Sequence, residues 1–170
     1  MHRKSKSSRA IQVSELMTSS PVACRESDRL NEVARLMWDH DCGAIPVVDD
    51  SNRVVGMITD RDICMAAYTQ GHPLADIEVA SAMSPEIFAC HATDSIEAAE
   101  EILGKHQVRR LPVLDASGEL VGIVSINDVA RQLVQGRPNG TSDHVFVETL
   151  ASICAPRRGV RIDAGHQIAG

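Results

Sequence analysis

Apolar residues recur along this chain in two rhythms, one helical and one strand-like, and the succession of rhythms occurs twice. Leu30, Val33, Ala34 and Met37 follow the i, i+3, i+4, i+7 spacing of one helical face, with Ser27 ahead of them as the expected cap. Ile96, Ala99 and Leu103 predict a second helix, capped by Thr93. The short apolar runs PVACRES and EIFACHA precede these helices and read as strands. AIPVVDD and RLPVLDA follow them as strands that end in turns, Asp49 to Asn52 and Asp115 to Gly118. RVVGMIT and ELVGIVS supply the hairpin partners, and short helices are expected to begin at Asp60 and Ile126. Each half reads strand, helix, strand, strand, helix.

The two halves are copies. Gly122 minus Gly56 gives an offset of 66, and the same offset links Met17 with Met83, Cys24 with Cys90 and Asp28 with Asp94. It also links His40 with His106, Pro46 with Pro112, Asp49 with Asp115 and Asp62 with Asp128. No gap is needed between Val13 and Ala67, so the chain is a tandem duplication with flanking segments. A basic tail occupies 1–12, the first repeat and its connector 13–78, the second repeat 79–135, and a linker, short helix and loose tail 136–170. One βαββα unit leaves a sheet face bare, so two are expected to pack together and share a core. After the linker, Asp143 is a candidate cap for a helix whose apolar face is Val147, Leu150, Ala151 and Cys154.

Composition narrows the function classes. The 170 residues carry a formal net charge of −6, which argues against nucleic acid or an anionic membrane as the partner of the body. The longest uncharged stretch, ICMAAYTQGHPLA, is too short to span a bilayer, and the basic N-terminus lacks the apolar region of a secretory signal. A cytoplasmic protein is expected. With one Trp, one Tyr and two Phe, the core must be aliphatic. The five cysteines form no C-x-x-C pair; Cys24 and Cys90 read as small core hydrophobes. Cys42 near His40 supplies too few ligands for a structural metal site, so no metal is expected.

The candidate chemistry lies where each hairpin enters its last helix. GMITDRD and GIVSIND share a glycine, a hydroxyl at Thr59 or Ser125, and a carboxylate three residues on at Asp62 or Asp128. A hydroxyl at N-cap with a carboxylate at N3 is close to a capping box, which explains the pair without any ligand. The same groups could instead hold something that carries hydroxyls and phosphates, since an ionised carboxylate only accepts and a helix N-terminus favours anions.

VSELMTSSPV, CGAIPVVDDSNRVVGMITDRDI and VRRLPVLDASGELVGIVSINDV together resemble the paired cystathionine-β-synthase (CBS) domain, the Bateman module, over roughly residues 13–135. The resemblance implies an α/β (α+β) fold of two βαββα units packed sheet to sheet with pseudo-two-fold symmetry, and homodimers formed by pairing of such modules. It implies two clefts that take AMP, ADP, ATP or S-adenosylmethionine. Asp62 and Asp128 would accept from ribose hydroxyls, and Thr59 and Ser125 would donate to phosphate. Arg109 and Arg110, which replace Gly43 and Ala44 of the first copy, would meet phosphates, while Val22 and Ile87 would lie against adenine. The carboxylates suit a ribose better than acid–base catalysis, so no enzyme and no obligatory cofactor are expected. The expected function is that of a sensor acting on a separate effector protein. A ligand-free assembly protein of the same fold is the alternative.

Overall fold

The computed structural model describes residues 10–134 and 142–155; the basic tail to Arg9, the linker and the last residues lie outside them. The first repeat contains α1 (Leu30–Asp39), β2 (Ala44–Val48), β3 (Val54–Thr59) and α2 (Asp60–Gln70). The second contains β4 (Cys90–His91), α3 (Ile96–His106), β5 (Arg110–Leu114), β6 (Leu120–Ser125) and α4 (Ile126–Val134). A two-residue β1 (Thr18–Ser19) precedes them and α5 (Ser142–Cys154) follows.

The two hairpins match residue for residue. Ala44 faces Thr59 across β2–β3 and Arg110 faces Ser125 across β5–β6, each ladder with an irregularity near its turn. The turns form as expected: Asn52 N–H donates to the Asp49 carbonyl and Gly118 N–H to that of Asp115. Asn52 and Gly118 occupy equivalent positions and both take positive φ, a conformation that glycine and asparagine tolerate best. The predicted helical stripes are largely inside, with Leu30, Val33, Met37, Ile96, Ala99 and Leu103 buried. Burial of these aliphatics contributes about 1.5–3 kcal/mol for each large side chain.

The caps differ from expectation. Arg29, not Ser27, precedes α1, and its side chain makes no capping hydrogen bond but donates to the Asp76 carbonyl instead. Ser95, not Thr93, precedes α3, and its hydroxyl accepts from Ala98 N–H at 3.2 Å. The reason is a tight turn before each helix, in which Asp28 and Asp94 accept from the N–H groups of Arg25 and His91 at 2.7 Å. That turn delays the helix start. The expected opening strands shrink to a single parallel bridge, Cys24 to Val47, and to the two residues of β4.

The repeats exchange their leading arms. β1 pairs antiparallel with β6 of the second repeat, and Ser84 bridges to Met57 on β3 of the first. Val13 belongs to the core that contains Cys90, Leu111 and Val124, whereas Val79 belongs to the core that contains Cys24, Ile45 and Ile58. The helix starts are tied the same way. Leu30 N–H donates to the Ile77 carbonyl at 3.0 Å and Ile96 N–H to the Ile11 carbonyl at 2.9 Å. A second tie joins the hairpin tips, where Leu120 N–H donates to the Asn52 carbonyl and the Asn52 amide donates back to the Leu120 carbonyl.

α5 departs from its predicted orientation. It begins at Ser142, so Asp143 falls inside it, and it docks on α3 and α4. Thr149 and Ile153 are buried and Phe146 packs against the second core, while Val147 and Leu150 point outward. Apolar residues occupy both sides of this helix, so spacing alone did not select the side that packs. No helix among the described residues is long and apolar enough to cross a membrane.

Candidate functional site

The glycine that opens each of the two motifs is a crossing point for an exchanged arm. A Cβ on Gly56 would lie 2.8 Å from both Met83 Sδ and the Ser84 carbonyl oxygen. A Cβ on Gly122 would collide with Met17 Sδ and approach the Thr18 carbonyl oxygen to 3.2 Å. The close backbone approach that the glycines permit is therefore made by the chain itself. It brings the leading arm of one repeat beside the hydroxyl–carboxylate pair of the other.

The first pair forms a reciprocal cap, and the second repeats the half of it that the carboxylate makes. Asp62 Oδ2 accepts from Thr59 N–H at 2.9 Å and from its hydroxyl at 2.6 Å, and Asp62 N–H donates to Thr59 Oγ1 at 3.2 Å. Asp128 Oδ2 accepts from Ser125 N–H at 2.8 Å and from its hydroxyl at 2.6 Å. Capping thus occupies one oxygen of each carboxylate. The second oxygens differ. Asp128 Oδ1 is ion-paired with Arg131, and Asp128 is buried, whereas Asp62 is half-buried and its Oδ1 makes no hydrogen bond among the described residues. Arg131 was missed in the sequence, although its i+3 spacing from Asp128 was a usable signal; the position equivalent to it in the first repeat is Met65.

The amides at the start of α2 are already satisfied. Asp60 N–H donates to the Gly43 carbonyl, Arg61 N–H to Asp60 Oδ1 at 2.7 Å, and Asp62 N–H to Thr59. The expected phosphate cradle of Thr59 with free amides is therefore closed in this conformation. Arg110 is half-buried on the first residue of β5, opposite Ser125, while Arg109 is exposed. Arg110 also reaches electrostatically across the seam to Cys42 of the first repeat. Desolvation raises the Cys42 pKa, and the Arg110 charge partly opposes that rise. Val22 packs at the edge of the first core, and Ile87 is half-buried.

Asp62 lines a cavity of about 170 Å³ with Ala66, Gln70 and, from the exchanged arm, Ser81 and Ala82. A larger cavity of about 390 Å³ lies elsewhere, between α1 and α2, walled by Met37, Trp38, Asp41 and Ile63. The thiols of Cys24 and Cys90 are pushed up to about 12, chiefly by burial and secondarily by Asp28 and Asp94. Among the described residues no three His, Cys, Asp or Glu side chains gather as a metal site.

Comparison with known proteins points in one direction. The CBS domain pattern matches residues 13–68 and 75–135. Hypoxic response protein 1 of Mycobacterium tuberculosis is 32% identical over 142 residues, spanning 84% of this chain and 93% of that one. A crystal structure of Hypoxic Response Protein I with two coordinated zinc ions superposes with a TM-score of 0.65 over 71% of this chain and 98% of that one, at 32% identity. CBSX2 in complex with AMP gives a TM-score of 0.64 at 26% identity, over 73% and 96% of the two chains. The CBS domain pair of MJ0100, with 5′-methylthioadenosine and S-adenosyl-L-methionine, shares the fold at 21% identity and a TM-score of 0.68, over 76% and 100%.

Proposed function

Because the chain belongs to the CBS-domain family, we propose that it is a cytoplasmic regulatory module that binds an adenosine nucleotide between its repeats. The bound state is passed to a separate effector protein, and the module acts as a homodimer without chemistry of its own. AMP, ADP, ATP and S-adenosylmethionine are the candidate ligands, with adenine against Val22 or Ile87 and phosphate near Arg110.

The observation that carries this reading is the state of Asp62. Its Oδ2 holds the helix start, its Oδ1 makes no hydrogen bond among the described residues, and the residue lines a cavity formed with the exchanged arm. An anionic acceptor with spare capacity suits a vicinal diol, which offers two O–H donors. The structures of similar proteins with AMP and with S-adenosyl-L-methionine support the ligand class. One observation favours the ligand-free assembly reading for the second cleft. Arg131 already occupies the carboxylate oxygen that a ribose would need there.

Mass spectrometry of gently purified protein, followed by calorimetry with each adenosine compound, tests the proposal. Retained nucleotide, or heat on titration with a matching rise in melting temperature, is expected. Ligand at 100 times its dissociation constant should add about 2.7 kcal/mol to stability. No heat and no melting shift with any of the four at millimolar levels would leave the assembly reading in its place.

A further inference from the structure

The offset of 66 that relates the repeats also relates two grooves, one filled and one empty. In the second repeat α5 lies along α3. Gly104 is the contact point, where an added Cβ would be 3.6 Å from Thr149 Cγ2 and 3.8 Å from Ser152 Cβ. Gln107 secures the far end of α5 by donating to the carbonyls of Ser152 and Ala155 at 2.9 and 3.2 Å. The residues of the first repeat at the positions of Leu103, Gly104, Gln107 and Val129 are Met37, Trp38, Asp41 and Ile63. These four wall the cavity of about 390 Å³. It is the counterpart of the α5 groove, with tryptophan where the filled groove has glycine.

The groove is open to solvent, and Trp38 on its wall is 86% exposed beside the apolar side chains of Ala34, Met37 and Ile63. The chain carries a second bare apolar surface on the outer side of α5, where Val147 and Leu150 are 62% and 40% exposed and Ala151 and Cys154 continue the exposed stripe. Four apolar residues at i, i+3, i+4 and i+7 form the kind of helical stripe that ordinarily packs against a partner, and here it borders the exposed His144–Glu148 ion pair. Within one chain the two surfaces do not meet, because α5 is held on α3 and α4.

We propose that the groove on α1 and α2 receives the outer side of α5 from a second copy of the chain, and reciprocally. Each α5 then lies between the second repeat of its own chain and the first repeat of its partner. A two-fold axis makes the contact twice, closes the assembly at two copies and covers both apolar surfaces with one operation. Pairing the first repeats face to face would leave Val147 and Leu150 in water. Trp38 in place of glycine widens the gap that the incoming helix must bridge and supplies the aromatic area that anchors such contacts. This deepens the homodimer reading above by naming its surface.

Sedimentation and tryptophan fluorescence test it together, since Trp38 is the only tryptophan in the sequence. The wild-type chain should sediment at twice its 18.4 kDa mass. Trp38→Asp, Val147→Asp and Leu150→Asp should each weaken association by at least about ten-fold, with circular dichroism unchanged. Trp38 emission should be blue-shifted in the dimer, shift red on dilution, and be red in Leu150→Asp although residue 150 is not on the helices that carry Trp38. A dimer insensitive to all three substitutions would remove this surface and leave the homodimer reading standing. A monomer at every concentration would remove both. Dissociation by Trp38→Asp alone would mean that the first repeats face each other, and blue emission from a monomer would mean that the chain covers its own groove. Either result overturns the proposal.

Discussion

The two repeats share a backbone frame, and three of the positions at which they differ decide how each is used. Trp38 stands where the second repeat has Gly104, Met65 where it has Arg131, and Ala44 where it has Arg110. These replacements divide the labour. The second repeat uses its glycine to seat α5 and Arg131 to complete the charge balance of Asp128. The first leaves a groove open and a carboxylate oxygen uncommitted. Duplication supplied a symmetric scaffold, and a few substitutions made one half inward-looking and the other available. Altering those positions breaks the comparison or sharpens it.

The largest effect is expected from making the second repeat resemble the first. Gly104→Trp adds an indole at a position where Thr149 and Ser152 already lie within van der Waals contact of a bare Cβ. The helix should detach, exposing Phe146 and Ile153, with a stability loss of about 3 kcal/mol or more. Limited proteolysis between α4 and α5, with urea denaturation of the same variant, checks it. Cleavage no faster than in the wild type would mean that α5 is not held through Gly104.

Next comes a contrast between the two crossing points. Gly56→Ala drives a Cβ against the Ser84 carbonyl, which is backbone, as well as against Met83. Gly122→Ala meets chiefly the Met17 thioether, the end of a flexible side chain, and only a looser carbonyl contact. Gly56→Ala should cost about 1–3 kcal/mol and Gly122→Ala distinctly less. Equal losses in chemical denaturation would show that the two arms are held alike.

Much of this frame was legible before any coordinates. The constant offset gave both hairpins, both turns and the first residues of α2 and α4, because local patterning and turn chemistry determine these. The arm exchange was not legible. An apolar run such as the one around Val13 reports that it will be buried but not which of two equivalent cores will bury it. The same limit hid the packing side of α5, whose Phe146–Thr149–Ile153 and Val147–Leu150 sides are similarly apolar. At the candidate site the hydroxyl–carboxylate pairs were found as pairs. Their inequality was missed because it depends on Arg131, a residue that reads as ordinary helix surface until Asp128 is seen to be buried.

A smaller effect concerns ligand preference. Asp62→Asn should weaken adenosine-nucleotide binding about ten-fold, since the amide oxygen still accepts but the charge is lost. Asp128→Asn should change affinity less, because both carboxylate oxygens are engaged within the protein. Arg131→Ala should then improve binding at the second cleft by freeing Oδ1. Calorimetric titration of the three variants with AMP decides the matter, and equal losses for the two asparagine variants would erase the inferred inequality.

The smallest effect probes the seam through Cys42. Burial holds its thiol above the usual range and Arg110 pulls it back, because a nearby positive charge favours the thiolate. Removing the cation in Arg110→Ala should raise the Cys42 pKa further. At any pH below that pKa the thiolate fraction falls, so alkylation of Cys42 should slow by a few-fold. Cys64 and Cys154 are exposed and serve as internal controls whose rates should not move. Cys24 and Cys90, buried and held at about 12, should stay unreactive throughout. A nucleotide whose phosphates pair with Arg110 should slow Cys42 in the wild type by the same mechanism and leave the Arg110→Ala variant unchanged. Peptide mass mapping after timed alkylation, with and without ATP, reads all five thiols at once. Slowing by ATP that persists in Arg110→Ala would mean that the ligand shields Cys42 directly, placing phosphate recognition away from this arginine.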